Sequence, residues 1–279
     1  MKKENIKTAI LRIEGTNCEQ ESYHAFKKLG TQPEMIHLKQ LLQIDCNQDE
    51  KRKLSDYQCL MIPGGFSAGD YIRAGTILAA RIKSKLKKQL KEFVEQEKPI
   101  LGICNGFQVL IELGLLPGIK ETMAEIPKAC LHVNDSGRFE CRPTLLKHEN
   151  QGKCKFTKKI PKNKIKKIPS AHAEGKLIFP QKKQKQIIKK LEENDQIVFK
   201  YVDPQGEYLG YPWNPNGSPE NIAGICNHTG TVFGMMPHPE RSFYQYQHSD
   251  WTRQKTKKEI PGDGRPIFES IIEYIQKKF

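Results

Sequence analysis

The run Lys98-Pro-Ile-Leu-Gly-Ile-Cys-Asn-Gly-Phe-Gln108 holds the first residue placed to do chemistry. Pro99 to Ile103 is a short apolar run suited to a buried parallel strand, and Asn105 to Leu113 has the spacing of a helix that Gly114 would stop. Cys104 therefore falls at a strand-to-helix turn, between Gly102 and Gly106. Small neighbours permit a sharp turn that projects the side chain, as in a nucleophile elbow, and the following helix aims free N–H groups at the sulfur. The competing reading is a buried core cysteine. Two other segments bear on the choice. Val232-Phe-Gly-Met-Met236 reads as a strand running into Pro237-His238-Pro239-Glu240, where a His and a Glu two residues apart in extended backbone would point the same way. Glu240 would then hold one imidazole nitrogen of His238 and leave the other for Cys104, with a simple turn as the alternative. Gly64-Gly65 ends a third strand. The N–H groups of Gly65 and Asn105 would form an oxyanion hole, where removing one donor typically costs roughly 10²–10³ in rate. An ordinary strand-end turn is the plain alternative.

The elements expected to position these residues alternate strand and helix. Ile6 to Ile13, Pro33 to Leu38, Tyr57 to Ile62 and Pro99 to Ile103 read as strands, with helices from Asn17 or Cys18 to Leu29 and from Ile77 to Gln96 between them. That pattern predicts a doubly wound α/β fold, a mostly parallel open sheet flanked by helices. Cys130 to Pro143, Ile165 to Ile178 and Gln196 to Val202 predict further strands in a smaller antiparallel region. Asn221 to Cys226 and Gly230 to Met236 predict a hairpin, and Pro266 to Lys278 a closing helix. Tyr244 to Arg265 reads as a polar connector.

The chain has 279 residues, which fits a single domain over 1–279. No segment approaches the roughly 18 apolar residues of a membrane span, which predicts a cytoplasmic protein. Eight scattered cysteines with no C-x-x-C pair predict reduced thiols, with neither a disulfide frame nor a metal site. The formal net charge is +14, and residues 147–190 carry fifteen lysines against two glutamates. Such a Lys-rich segment, poor in Arg and aromatics, is a weak nucleic-acid signature and reads as a possible insertion.

Gly102 to Gln108 together with Pro237-His-Pro-Glu240 resembles the class I (triad) glutamine amidotransferases, whose sheet is flavodoxin-like. Further pieces narrow the match: Gly15-Thr-Asn-Cys-Glu19, Pro63-Gly-Gly-Phe-Ser-Ala-Gly-Asp-Tyr-Ile-Arg-Ala-Gly75, Asn134-Asp-Ser-Gly-Arg-Phe-Glu140, Ala171-His-Ala-Glu-Gly175 and Pro215-Asn-Gly-Ser218. This set is similar to the glutaminase subunits of phosphoribosylformylglycinamidine (FGAM) synthase, from about Ile6 to Arg241 and through Gln247 to Arg253 toward the end. The departures are the Lys-rich stretch Cys154 to Lys167, an insertion or diverged loop by this comparison, and Ala173 where glycine is expected.

The resemblance implies that Cys104 attacks the side-chain amide of glutamine, with His238 as base and acid and Glu240 orienting it. It implies that Gln108, His172 and Glu174 hold the substrate, the acid meeting its ammonium. Asn134, Ser136 and Arg138 fit either the glutamine pocket or a subunit interface. Ammonia would pass to a large synthetase subunit, with a small accessory subunit completing the complex. This chain would need no cofactor. It lacks G-x-x-x-x-G-K-[ST], so ATP and Mg belong with the synthetase. Asp70, Tyr71 and Arg73 would lie on the docking face. The rival readings are a triad glutaminase of another pathway and, from a different class, a catalytically silent basic RNA-binding or scaffold protein.

Overall fold

A computed structural model of the chain describes residues 1–253 and 259–279. Its centre is a run of strands whose apolar residues leave no wet face. These are β1 (Lys7–Arg12), β3 (Cys59–Ile62), β4 (Ile100–Ile103) and β11 (Val232–Met235); the last three are buried at every residue. Burial on both faces is what a parallel sheet covered by helices requires. With β2 (Gln32–His37) they pair in parallel in the order β2-β1-β3-β4-β11. This is the flavodoxin-like strand order, in which ligands sit beyond the carboxyl ends of the strands.

Beyond β11 the sheet turns antiparallel, through β10 (Ile222–Cys226), β9 (Ile197–Val202), β6 (Glu140–His148) and β7 (Ile165–His172). The β10–β11 hairpin forms around Asn227, whose side-chain oxygen accepts the N–H groups of Thr231 and Val232 at 3.0 Å. The helices are α1 (Glu19–Lys28), α2 (Leu38–Leu42), α3 (Thr76–Glu95), α4 (Asn105–Glu112), α5 (Gln184–Glu193) and α6 (Arg265–Lys278). Helix α3 buries Leu78, Ile82, Leu86, Leu90 and Phe93, a spacing that keeps one face dry and leaves its lysines outside.

The structure revises several expectations. Cys130 to Pro143 is not one strand. It divides into β5 (Cys130–His132) and β6 at the Asp135-Ser-Gly137 turn, where Gly137 has φ +65°. Ile165 to Ile178 likewise divides into β7 and β8 (Lys176–Ile178) at Ala173–Gly175, and β5 pairs with β8 in a separate two-stranded sheet. Both breaks border one cavity, which Phe139, Cys141, Ala173 and Glu174 help to line. Helix α5 was not expected, because Ile188 and Leu191 are its only buried residues in a Gln- and Lys-rich sequence. Within the Lys-rich stretch, Cys154, Phe156 and Ile160 are buried, and the Phe156 ring lies 5.7 Å from that of Phe233 on β11. Its apolar residues join the core beside α6, Lys166 and Lys167 pair with Asp263 and Asp250, and Lys158, Lys159, Lys162 and Lys164 are exposed. Of the connector 244–265, residues 254–258 lie outside the described residues. Among the described residues, no helix is long and apolar enough to cross a membrane. All eight cysteines are free thiols.

Candidate active site

Cys104 caps α4 with φ +51° and ψ −108°, a strained conformation for a residue with a Cβ. Its neighbours explain why the turn closes. A Cβ on Gly106 would sit 1.8 Å from the Ile62 carbonyl oxygen, and one on Gly102 would meet the Gly106 oxygen at 2.6 Å. Helix α4 can therefore lie against β3 and β4 only with glycine at both positions. The Cys104 N–H donates to Met235 at 2.9 Å, which ties the elbow to the end of β11.

Three residues beyond β11, His238 begins a 3-10 turn over Pro239–Ser242. The turn brings Glu240 back to the imidazole, with Oε1 2.6 Å from Nδ1. The two side chains thus meet through a turn, not through the extended backbone expected from sequence. Both residues are buried, and His238 Nε2 has no hydrogen-bond partner. Burial pulls the His238 pKa down, yet the Glu240 carboxylate and the Cys104 sulfur carry it well above the ordinary value. A Cβ on Gly64 would lie 2.7 Å from His238 Cε1 and 3.4 Å from Cys104 Cβ. Gly64 thus leaves the space in which the two side chains meet.

Gly65 has φ +140° and forms an isolated bridge with Thr16. In that bridge Phe66 N–H donates to Gly15 and Asn17 N–H to Gly64, leaving the Gly65 N–H outside the pairing. As the first residue of α4, Asn105 has an N–H with no intrahelical acceptor. Gly65 and Cys104 border the same cavity of about 200 Å³, together with Gln108, His172 and Glu174. The expected substrate residues are thus gathered at one place.

Their contacts differ. Gln108 donates from Nε2 to the Glu174 carbonyl at 2.7 Å and accepts at Oε1 from Asn105 at 2.9 Å, so it braces the Glu174 loop. Glu174 accepts the Ala74 N–H at 3.1 Å, and Asp70 accepts from Asn105 Nδ2 at 3.3 Å. Burial and the charge of Glu174 push Asp70 up to about 6. His172 is buried against Asn134, and burial followed by the charge of His238 brings it down to about 3. Asn134 does not itself line the cavity but stands behind His172, with Oδ1 3.1 Å from Nδ1. Ser136 and Arg138 shape the turn that follows it, where Ser136 Oγ accepts the Arg138 N–H at 3.3 Å. Arg73 pairs with Glu112 at 2.6 Å, while Tyr71 and Ile72 beside it are 89% and 76% exposed.

Two neighbours of the histidine had no assigned role from sequence. Cys18 Sγ lies 3.9 Å from His238 Nδ1, and Arg241 Nη2 lies 3.0 Å from that sulfur. Their signals were present in Gly15–Glu19 and in the arginine directly after His-Pro-Glu, but neither names a contact. Cys18, His238 and Glu240 have donor atoms within 4.8 Å of one another. The Nδ1–Oε1 hydrogen bond and the Arg241 cation on the sulfur describe a hydrogen-bonded cluster and disfavour a metal cation there.

Fold and site together define a glutamine amidotransferase. Residues 5–275 match the CobB/CobQ-like glutamine amidotransferase domain. The chain is 55% identical to the phosphoribosylformylglycinamidine synthase subunit PurQ of Archaeoglobus fulgidus, over 99% of this chain and 100% of that protein. It is 46% identical to the Picrophilus torridus PurQ subunit over 94% of this chain and 96% of that one. Within the amidotransferases, the chain belongs to the PurQ family. Among solved structures, PurLQS from Thermotoga maritima matches with a TM-score of 0.70 and 32% identity, over 97% of this chain and 99% of that chain. The glutaminase domain of Trypanosoma brucei CTPS with bound acivicin shares the fold, with a TM-score of 0.51 and 15% identity, over 98% of this chain and 95% of that chain.

Proposed function

We propose that this chain is the glutaminase subunit of an FGAM synthase in purine biosynthesis, acting in the cytoplasm. The observation that carries the chemistry is the buried His238–Glu240 pair at 2.6 Å, with a free Nε2, beside a cysteine on a strained elbow. The Cys104 sulfur attacks the carboxamide carbon of glutamine, and the carbonyl electron pair moves onto oxygen, facing the N–H groups of Gly65 and Asn105. His238 gives its proton to the nitrogen as the C–N bond breaks, releasing ammonia and leaving a glutamyl thioester. Water then attacks the thioester and gives a proton to His238. The C–S bond breaks, glutamate leaves and the cysteine is restored. Glu240 keeps Nδ1 protonated throughout. Asp70 and Glu174 supply negative charge on one wall for the substrate ammonium.

The partners are a synthetase subunit, which uses ATP and Mg to activate formylglycinamide ribonucleotide, and a small accessory subunit. Identity to two PurQ subunits and similarity to PurLQS support this pathway over other triad glutaminases. Incubation of the assembled complex with glutamine tests the reading. Glutamate release that is lost in Cys104→Ala supports it, whereas undiminished release by that variant overturns it.

We place the docking face at the cavity rim, where the apolar side chains of Tyr71 and Ile72 are exposed. Arg73, held by Glu112, braces that rim against α4. Tyr71→Asp should weaken assembly with the synthetase, read by gel filtration; an unchanged elution profile would move the face elsewhere.

A further inference from the structure

His172 lines the cavity, is 2% exposed, and has a ring nitrogen, Nε2, with no hydrogen-bond partner. A buried polar atom left unpaired beside a substrate cavity is costly unless something that binds there satisfies it. The surrounding hydrogen bonds show what that must be. Asn134 Nδ2 donates to two backbone carbonyls, Arg138 at 2.9 Å and His172 at 2.8 Å. Its Oδ1 accepts the Gly175 N–H at 3.0 Å. The orientation of the Asn134 amide is therefore fixed from three sides, and Oδ1, 3.1 Å from His172 Nδ1, can only accept there. His172 Nδ1 must carry the hydrogen, so Nε2 offers a lone pair to the cavity.

The position relative to the reacting atoms narrows the ligand. The adjacent Ala171 carbonyl oxygen lies 3.5 Å from Cys104 Sγ, and the charge of His238 bears on His172 directly. His172 thus belongs to the reacting end of the cavity. The substrate ammonium has its own acceptors in Glu174 and Asp70. The N–H donor left at the reacting end is the carboxamide nitrogen.

We propose that His172 Nε2 accepts an N–H from the glutamine carboxamide nitrogen and continues to hold that nitrogen as ammonia once the C–N bond has broken, with Asn134 as its positioning residue. The inference rests on the glutaminase reading. One accepted N–H turns the nitrogen lone pair toward the His238 proton as the C–N bond stretches. After cleavage His238 has given up its proton, and burial keeps His172 unprotonated, so it has no proton to give and the product stays as ammonia, the form a synthetase can use.

The test compares two substrates that share a thioester but differ in leaving group. Glutamine leaves as an N–H donor. The γ-methyl ester of glutamate leaves through an oxygen that carries no hydrogen. In the assembled complex, His172→Phe should lower kcat/KM for glutamine about tenfold to a hundredfold, as expected for losing one hydrogen bond at a reacting atom in a buried site. Hydrolysis of the ester should stay within about threefold. His172→Gln, whose carbonyl oxygen restores an acceptor, should recover part of the loss on glutamine alone. Equal losses on both substrates would reduce His172 to a structural role, and an unchanged rate on glutamine would remove it from the reaction. A wild-type complex that releases no glutamate from glutamine would overturn the glutaminase reading itself, and this inference with it.

Discussion

His238 and His172 face one cavity and are each 2% exposed, yet they stand on opposite sides of the ordinary imidazole range. His238 is held well above it and His172 is brought down to about 3. Burial pulls both down, so burial cannot be the difference. The partner on Nδ1 can. His238 has a carboxylate oxygen at 2.6 Å, and His172 has an amide oxygen at 3.1 Å. An anion stabilises the imidazolium, while a neutral acceptor fixes a tautomer and leaves the ring uncharged. His238 also acts on His172, since the charge of His238 is among the forces that lower it. One fold thereby presents a proton donor and a proton acceptor to the two sides of a single nitrogen.

The strongest way to break the contrast is to give His238 the kind of partner His172 has. Glu240→Gln keeps an oxygen near Nδ1 but removes the charge. Glutaminase kcat should fall by roughly 10³–10⁴, as when the acid of a triad becomes an amide. The same substitution has a stability signature. A raised imidazole pKa contributes stability that is fully present below its unfolded value of about 6.5 and is lost as pH rises through the folded value. The melting-temperature gap between wild type and Glu240→Gln should therefore be widest at mildly acidic to neutral pH and close on the alkaline side. A gap that widens with pH would show that the ion pair is not what holds His238 up.

A weaker perturbation leaves both partners in place and moves the rings. Each histidine sits against a glycine. A Cβ on Gly64 would lie 2.7 Å from His238 Cε1, and one on Gly175 would lie 2.5 Å from His172 Nδ1. Gly64→Ala should lower kcat by about 10², the scale of a 1 Å misplacement of a reacting group. Gly175→Ala should lower it by about tenfold, because an acceptor of one hydrogen bond is displaced and not the acid. Steady-state kinetics of the two variants side by side test the ranking; a larger loss at Gly175 would reverse it.

Sequence reached the charged half of this contrast more readily than the neutral half. Cys104, His238 and Glu240 were legible because an elbow and a His-Pro-Glu run each say something local about chemistry. The route from His238 to Glu240 was not, since Pro239 opens a 3-10 turn that extended geometry does not foresee. The parallel strands were legible because buried runs such as Ile100–Ile103 have no wet face to interrupt them. The breaks after β5 and β7 were harder to see. Short turns at Asn134 and Glu174 interrupt segments of mixed polarity with no clean alternation to show where a strand stops, and these turns carry the His172 environment. Asn134 reads as a turn residue on its own; only its contacts to His172 and Gly175, from another part of the chain, give it a role.

Cys18 offers the smallest and most discriminating test. Its sulfur lies 3.9 Å from His238 Nδ1, the nitrogen that already meets Glu240 at 2.6 Å, and it carries the Arg241 guanidinium at 3.0 Å. Burial pushes the Cys18 thiol up, which favours its neutral form, while contact with the sulfur helps raise His238. If the carboxylate decides the state of His238, removing this sulfur trims a minor contribution. Cys18→Ala should then keep glutamine turnover within about threefold and shift the alkaline limb of the pH–rate profile slightly toward lower pH. The direction follows because a contact that raises the imidazole is lost. A hundredfold loss, or a limb moving to higher pH, would mean that the second thiol and not Glu240 governs Nδ1, and the contrast between the two histidines would have to be rebuilt around sulfur.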